Sequence, residues 1–224
     1  MEPKTSGTRA RATSAHCART AALALAAALA LATTLFGCTQ EEALPNEARI
    51  DSIAFRYPDA VQPTGDEPSS SIVRTEEGFS YKEKHLDFRN DERTFFFGVH
   101  LCENVSYDDA LAYAKAAAHA MSGGEISENE AALLEKHRIN PDDLPAVAHE
   151  APQEAEVGGC AAFTQISTAA RGDEKAVHFV QCIEAGENAI AYLDAYLPEQ
   201  TFLENEDALR AVGQSIRVEE PSQG

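Results

Sequence analysis

Hydrophobic and polar positions divide the chain sharply. Residues 21–36 are Ala, Leu, Thr and one Phe, with no charge among them. From Arg49 onward the apolar residues recur instead with the period of a strand or of a helix, and Gly, Pro, Asn and Asp punctuate them. Ile53, Phe55 and Tyr57 alternate and predict a strand, which Pro58-Asp59 turns. Thr64–Ser71 reads as a polar loop. Two short extended runs, Ile72–Thr75 and Phe79–His85, flank Gly78. "TFFFGVHLCE", Thr94–Glu103, is apolar on both faces, which predicts a central strand in a sheet covered on both sides.

Helical spacing takes over at Ser106. Ser106 with Asp109 makes an S-x-x-D cap, and Leu111, Ala114, Ala118 and Met121 line one face as far as Gly123-Gly124. A second cap, Ser127 with Glu130, opens a helix carrying Ala131, Leu134 and Arg138 on one side, with Asn140-Pro141 to end it. "PAVAHEAP" predicts a short strand. "CAAFTQIS" and "AVHFVQCIEA" predict a hairpin whose loop centres on Arg171-Gly172-Asp173. Asn188–Pro198 is the next strand, "ENEDALRAVGQSI" a last helix, and "IRVEE" an edge segment. Strands joined by short turns imply an antiparallel sheet, and the intervening helices imply an α+β fold with helices packed on its faces.

The N-terminus answers to a different logic. Residues 1–20 hold Lys4, Arg9, Arg11 and Arg19 against the single acid Glu2. A basic segment, an apolar segment and a small-residue exit make a secretory signal. The apolar run is shorter than the ~20 residues of a spanning helix. Its exit, Leu35-Phe36-Gly37-Cys38, resembles the lipobox of bacterial lipoproteins. That resemblance implies cleavage before Cys38 and a diacylglyceryl group on its thiol. Phe36 departs from the pattern, which favours a small residue there. No twin-Arg pair is present, so the general export route is expected. The expected organisation is a signal peptide over 1–37, the lipidated Cys38 and a flexible tether over 38–48, one domain over 49–220 and a tail over 221–224. About 170 residues suit one domain with its own core.

Charge narrows the partners. Residues 1–37 hold four of the 18 basic and one of the 37 acidic residues, which leaves 14 against 36 and a net charge of −22 for the rest. Nucleic acid is excluded on that balance, and so is electrostatic adhesion to anionic lipid; the lipid anchor itself must hold the membrane. Trp is absent, so stacking platforms have little material.

Four segments carry a second resemblance. They are "FRYPD" near the start, "GGCAAF" entering the hairpin, the tyrosine-bearing strand around Tyr192 and Tyr196, and the closing "ALRAVGQSIR" helix. Together they look like the PsbP-like/LpqN-like lipoprotein domains. The resemblance implies an antiparallel sheet sandwiched by helices and an accessory or binding role. It supplies no catalytic residue.

Candidate chemistry is sparse. Cys17 leaves with the signal and Cys38 goes to lipid, so Cys102, Cys160 and Cys182 remain, with three pairings open for one disulfide. A turn near Gly172 would place Cys160 and Cys182 on one face of the hairpin, diagonal to each other. His100 and His178 share strands with Cys102 and Cys182, a weak signal for an activated thiol. The other histidines, His85, His119, His137 and His149, show no H-x-x-x-H or H-E-x-x-H spacing, and neither metal nor cofactor is expected. Asp108-Asp109, Asp142-Asp143 and Glu204/Glu206/Asp207 are local acidic clusters, the first and last expected at helix starts. Asp194 shares a strand face with Ile190, Tyr192 and Tyr196, where it would line a groove or face solvent. Phosphate-loop and nucleophile-elbow motifs are missing.

The expectation is a membrane-anchored extracytoplasmic lipoprotein of the cell envelope. Its domain would be non-enzymatic and would bind a small ligand or another envelope protein. Two alternatives stand beside it. An envelope hydrolase would need a pocket gathering His100, His178 or Asp194. A structural surface protein would present a flat patch.

Overall fold

A computed structural model describes residues 44–74, 80–136, 148–171 and 174–219. The expected signal peptide, Cys38, the Gly172-Asp173 turn, His137, Arg138, Asn140-Pro141, Asp142-Asp143 and the tail over 221–224 lie outside the described residues.

The chain enters the fold earlier than its sequence suggests. Strand β1 (Asn46–Ile50) pairs antiparallel with β2 (Ile53–Tyr57), and β12 (Arg217–Val218) adds to the other side of β2. Leu44 is 1% exposed and Ile50 is fully buried. The tether expected over 38–48 therefore does not reach Ala48. From Leu44 its residues fill an apolar site and a ladder and so are part of the folded structure.

Nine strands make the large sheet, and every pairing among them is antiparallel. They are β3 (Gln62–Pro63), β4 (Ser69–Arg74), β5 (Ser80–Arg89), β6 (Phe96–Glu103), β7 (Ala148–His149), β8 (Gln153–Val157), β9 (Cys160–Arg171), β10 (Glu174–Gly186) and β11 (Ala189–Pro198). The order is β3-β5-β6-β11-β10-β9-β7, with β4 also on β5 and β8 also on β9. As expected, β6 lies inside the sheet, between β5 and β11.

Among the described residues, three helices cover the faces. Helix α1 (Tyr107–Met121) starts at Ser106, whose hydroxyl accepts from the amide of Asp109. Helix α2 (Glu128–Lys136) starts with the reciprocal cap of Ser127 and Glu130. Helix α3 (Glu199–Ser215) begins directly after Pro198, five residues before the expected Glu204. Pro198 fixes the turn out of β11 with φ −53° and ψ 143°, and the helix follows at once. Glu204 and Glu206 are consequently not helix-start acids; Glu206 pairs instead with Arg210 at 2.7 Å, one turn on. Among the described residues no helix is long and apolar enough to cross a membrane.

Alternation along the strands splits the sheet into two faces. On one, Phe97, Val99 and Leu101 of β6 join Leu193 and Leu197 of β11 and Phe179 and Ile183 of β10, under Phe202, Leu209 and Val212 of α3 and Phe55 of β2. This is the main core. Helix α3 approaches it closely at Gly213, where a Cβ would overlap the buried side chain of Gln181. The other face is smaller and mixed. Cys102, Phe163, Cys182 and Ile190 pack under Ala114 of α1, and Leu134 of α2 closes on Ala116 and Ala117 behind it. The domain is thus a mixed α+β fold, as the sequence predicts.

Candidate functional site

Beyond α1, the second face of the sheet carries a polar array. Register sets its membership. His85 of β5 stands opposite His100 of β6, which stands opposite Tyr192 of β11. One step along, Asp87, Gly98 and Asp194 form the next row, and Val180 of β10 lies opposite Asp194. Glu83, two residues before His85, and His178, two before Val180, share the same face by alternation.

His100 sits at the centre. Its Nδ1 lies 2.8 Å from Oε1 of Glu83 and its Nε2 lies 2.9 Å from Oδ1 of Asp194. Both contacts are to carboxylate oxygens, an arrangement that favours the ring form donating from both nitrogens. Burial alone would lower its pKa; the hydrogen bonds and charges of Asp194 and Glu83 outweigh burial and raise it. Glu83 balances in the opposite sense. Burial would raise its pKa, but hydrogen bonds from Tyr192 and His100, with the nearby histidine charges, hold it below its usual value. The Tyr192 hydroxyl donates to Oε1 of Glu83 at 2.7 Å, and burial and that bond push the phenol up. The hydroxyl of Ser71 donates to Oε2 at 3.3 Å. The rings stack across the strands, His100 on Tyr192 at 4.3 Å and His85 on His100 at 5.3 Å between centroids.

Asp194 also reaches His178, whose Nε2 lies 3.9 Å from Oδ2. Burial lowers the pKa of His178 and the charge of Asp194 opposes it, with burial prevailing. Gly98 makes the arrangement sterically possible. A Cβ there would stand 2.5 Å from Nε2 of His100, 3.0 Å from Oδ1 of Asp194 and 3.2 Å from Oδ1 of Asp87.

A cleft of about 490 Å³ runs between α1 and the sheet beside this array. Tyr81, Val105, Phe163 and Ile190 give it apolar walls, while Gln165 and Ser167 stand in it as polar groups. Tyr192 and His178 belong to both cleft and array.

The cysteines depart from expectation. All three are free. Cys182 faces Phe163 rather than residue 162, a one-residue change of register, and Cys160 lies three positions before Phe163, so Cys160 and Cys182 point to opposite faces. Cys160 packs against the main core while Cys182 lies in the cluster under α1. Cys102 shares that cluster, but the whole of β11 separates it from Cys182. Two strand spacings are about 9–10 Å, beyond the reach of a disulfide. Burial pushes both thiols up to about 12, so neither is a nucleophile at neutral pH, and His100 has no free nitrogen to act as a base for Cys102.

Of the residues singled out in the sequence, His100, His178 and Asp194 converge. His119 is elsewhere, 3.0 Å from Glu130. Sequence spacing misses Glu83 and gives His85 only as one of the histidines without metal-binding spacing. Their signal is the spacing of Glu83, His85 and Asp87 on alternate positions of a strand, with polar residues on the face where a purely structural strand would place apolar ones.

A scan against models of known protein families finds no match, and a search of curated proteins finds none either. Among solved structures the chain is similar to PsbP (CyanoP) from Synechocystis sp. PCC 6803, at 12% identity and a TM-score of 0.47, over 77% of this chain and 91% of that one. It is similar to a protein from Bacteroides thetaiotaomicron VPI-5482 at 10% identity and a TM-score of 0.41, over 77% of this chain and 47% of that one. It is also similar to LpqN, involved in cell envelope biogenesis of Mycobacterium tuberculosis, at 10% identity and a TM-score of 0.39, over 75% of this chain and 83% of that one. Likenesses of this degree carry no functional statement about this chain.

Proposed function

We propose that this protein is an extracytoplasmic lipoprotein whose domain binds a small amphipathic ligand without turning it over. One observation carries the binding reading: the cleft under α1, with a volume of about 490 Å³ and apolar walls beside a few fixed polar groups. Ligand sites have this size and this composition. The apolar part of the ligand would lie against Phe163 and Ile190, and its polar end against Gln165, Ser167 and His178. The non-enzymatic part is supported by the state of the reactive groups. His100 is engaged at both nitrogens, and the Cys102 and Cys182 thiols stay protonated. Anchoring rests on the Leu35-Phe36-Gly37-Cys38 sequence.

Titration with 1-anilinonaphthalene-8-sulfonate tests the cleft. Val180 also lines the cleft, so saturable binding that Val180→Trp abolishes, with the fold retained, is expected; binding indifferent to that filling overturns the reading. Anchoring is tested separately by Cys38→Ala, which should lose incorporation of a labelled acyl chain.

A second reading, an envelope hydrolase, is favoured by the meeting of His100 and His178 on Asp194. Turnover of a generic ester, peptide or glycan by the purified protein, lost in Asp194→Asn, would select it instead.

A further inference from the structure

We propose that Glu83, His85 and His100 form a binding site for a divalent transition-metal ion such as Zn²⁺. The inference goes beyond the ligand-binding reading and does not rest on it. Three observations support it. One donor atom from each of the three residues lies within 4.8 Å of the other two. Nδ1 of His85 is buried and has no hydrogen-bond partner among the described residues. A buried ring nitrogen left without a partner costs free energy, and a metal ion is one group that would satisfy it. The third observation is the set of groups behind the ligands. Metal-binding histidines give their second ring nitrogen to a carboxylate, which fixes the tautomer and aims the lone pair. Nε2 of His100 is held by Asp194 at 2.9 Å, and Nε2 of His85 faces Oδ2 of Asp87 at 3.9 Å. Glu83 is fixed in turn by Tyr192 and Ser71.

The ion replaces the proton that Nδ1 of His100 now donates to Glu83. Its donors are Nδ1 of His100, Nδ1 of His85 and a carboxylate oxygen of Glu83. Ligation requires the two imidazoles, now stacked at an interplanar angle of 27°, to turn about their χ angles until both lone pairs meet at one point. Two imidazoles and one carboxylate suit zinc, cobalt, nickel or copper and do not suit Ca²⁺ or Mg²⁺, which need a shell of oxygens. Three protein ligands leave a coordination position open. Asp87 and Asp194, on the more exposed side of the array, place negative charge along the approach. Sequence spacing cannot reveal this set. Two ligands sit at i and i+2 on β5, and the third comes from the neighbouring strand, directly opposite His85.

The test is titration of the chelator-treated full-length protein with Zn²⁺, with Mg²⁺ and Ca²⁺ as controls, followed by calorimetry. One Zn²⁺ per chain at this site is expected. His85→Ala, which breaks no hydrogen bond at Nδ1, should abolish it. Asp194→Asn should weaken it by about 10–100-fold through loss of the supporting carboxylate. Co²⁺ substitution should give d–d bands without the intense near-ultraviolet band of thiolate ligation, which separates this site from the cysteines. If the variants fail to fold, histidine ring ¹⁵N spectra of the unaltered protein decide: Nδ1 of His85 and of His100 should shift on adding Zn²⁺ and the other described histidines should not. No binding at millimolar Zn²⁺, binding unchanged in His85→Ala, or shifts confined to other histidines would overturn the proposal.

Discussion

Asp194 and His100 lie 94 residues apart in the chain and 2.9 Å apart in space. The bond is diagonal, because Asp194 is paired in register with Gly98 and His100 with Tyr192. The carboxylate reaches His100 across a position without a side chain. That gives the glycine a clear role, and a test.

Gly98→Ala should break the His100–Asp194 bond, since the new Cβ falls 2.5 Å from Nε2 and 3.0 Å from Oδ1. The neighbours are a constrained ring and a carboxylate on adjacent strands, so relief requires one of them to move. A loss of about 1–3 kcal/mol is expected, from overpacking and from a buried charged donor left without its acceptor. Urea denaturation measures it, and the His100 ring signals should move. An unshifted midpoint with unchanged signals would contradict the assignment.

The thiols should differ in reactivity. Cys102 and Cys182 are buried and their pKa values are pushed up to about 12, whereas Cys160 is half-buried. Under native conditions near pH 8, iodoacetamide should modify Cys160 and leave the other two until the protein is unfolded. Mass spectrometry of non-reduced peptides should find no Cys102–Cys182 link. Rapid native labelling of Cys182 would show that α1 does not cover it.

Helix α2 should respond to acid at its first turn. Hydrogen bonds from the Ser127 hydroxyl and backbone amide, then from His119, hold the Glu130 carboxyl down to about 2 from an ordinary 4.5. A depressed carboxylate stabilises the fold fully above its unfolded value and loses that contribution as pH falls towards its folded value. The start of α2 should therefore loosen between about pH 4.5 and 2. Glu130→Gln keeps the reciprocal cap without a titrating group, so its stability should fall less steeply across that window than that of the unaltered protein. Identical pH profiles for the two proteins would reject the assignment.

Gly213 and Gln181 should prove coupled. A Cβ at Gly213 overlaps the Gln181 side chain, which is 3% exposed and cannot swing into solvent. Gly213→Ala alone should cost about 1–3 kcal/mol. In a Gln181→Ala background the same change should cost less, because the overlapping atoms are gone. Additive effects in thermal melts of the double mutant would show that α3 meets some other obstacle.

Much of the fold is written locally. The caps at Ser106 and Ser127 and the interior position of β6 follow from spacing within a few residues. Other features depend on partners that spacing does not name. Asn46–Ala48 looks like polar tether because only the pairing with β2 makes it a strand. The early start of α3 was hidden because Pro198 can end one element and begin another without a break. For the site, Asp194, His100 and His178 could be picked out as odd polar residues on apolar strands. Glu83 and His85 gain their meaning only from the register of β5 against β6, which places His85 opposite His100. The same dependence on register misdirected the cysteines: a shift of one residue in β9 against β10 turns Cys160 to the other face.

Strand β6 gives alternate residues to two different tasks. Phe97, Val99 and Leu101 go to the main core, and Gly98, His100 and Cys102 go to the opposite face. Mutational tolerance along this one strand should therefore swing with a period of two. Core positions should accept only apolar residues of similar volume, and His100 should accept polar replacements that abolish Zn²⁺ binding at the proposed site while costing the fold about 1–3 kcal/mol. A library that randomises Phe97 to Cys102 and is sorted first for soluble expression and then for binding would yield two interleaved sequence profiles. Selection for the core and selection for the polar face would then fall on alternate residues of a single strand.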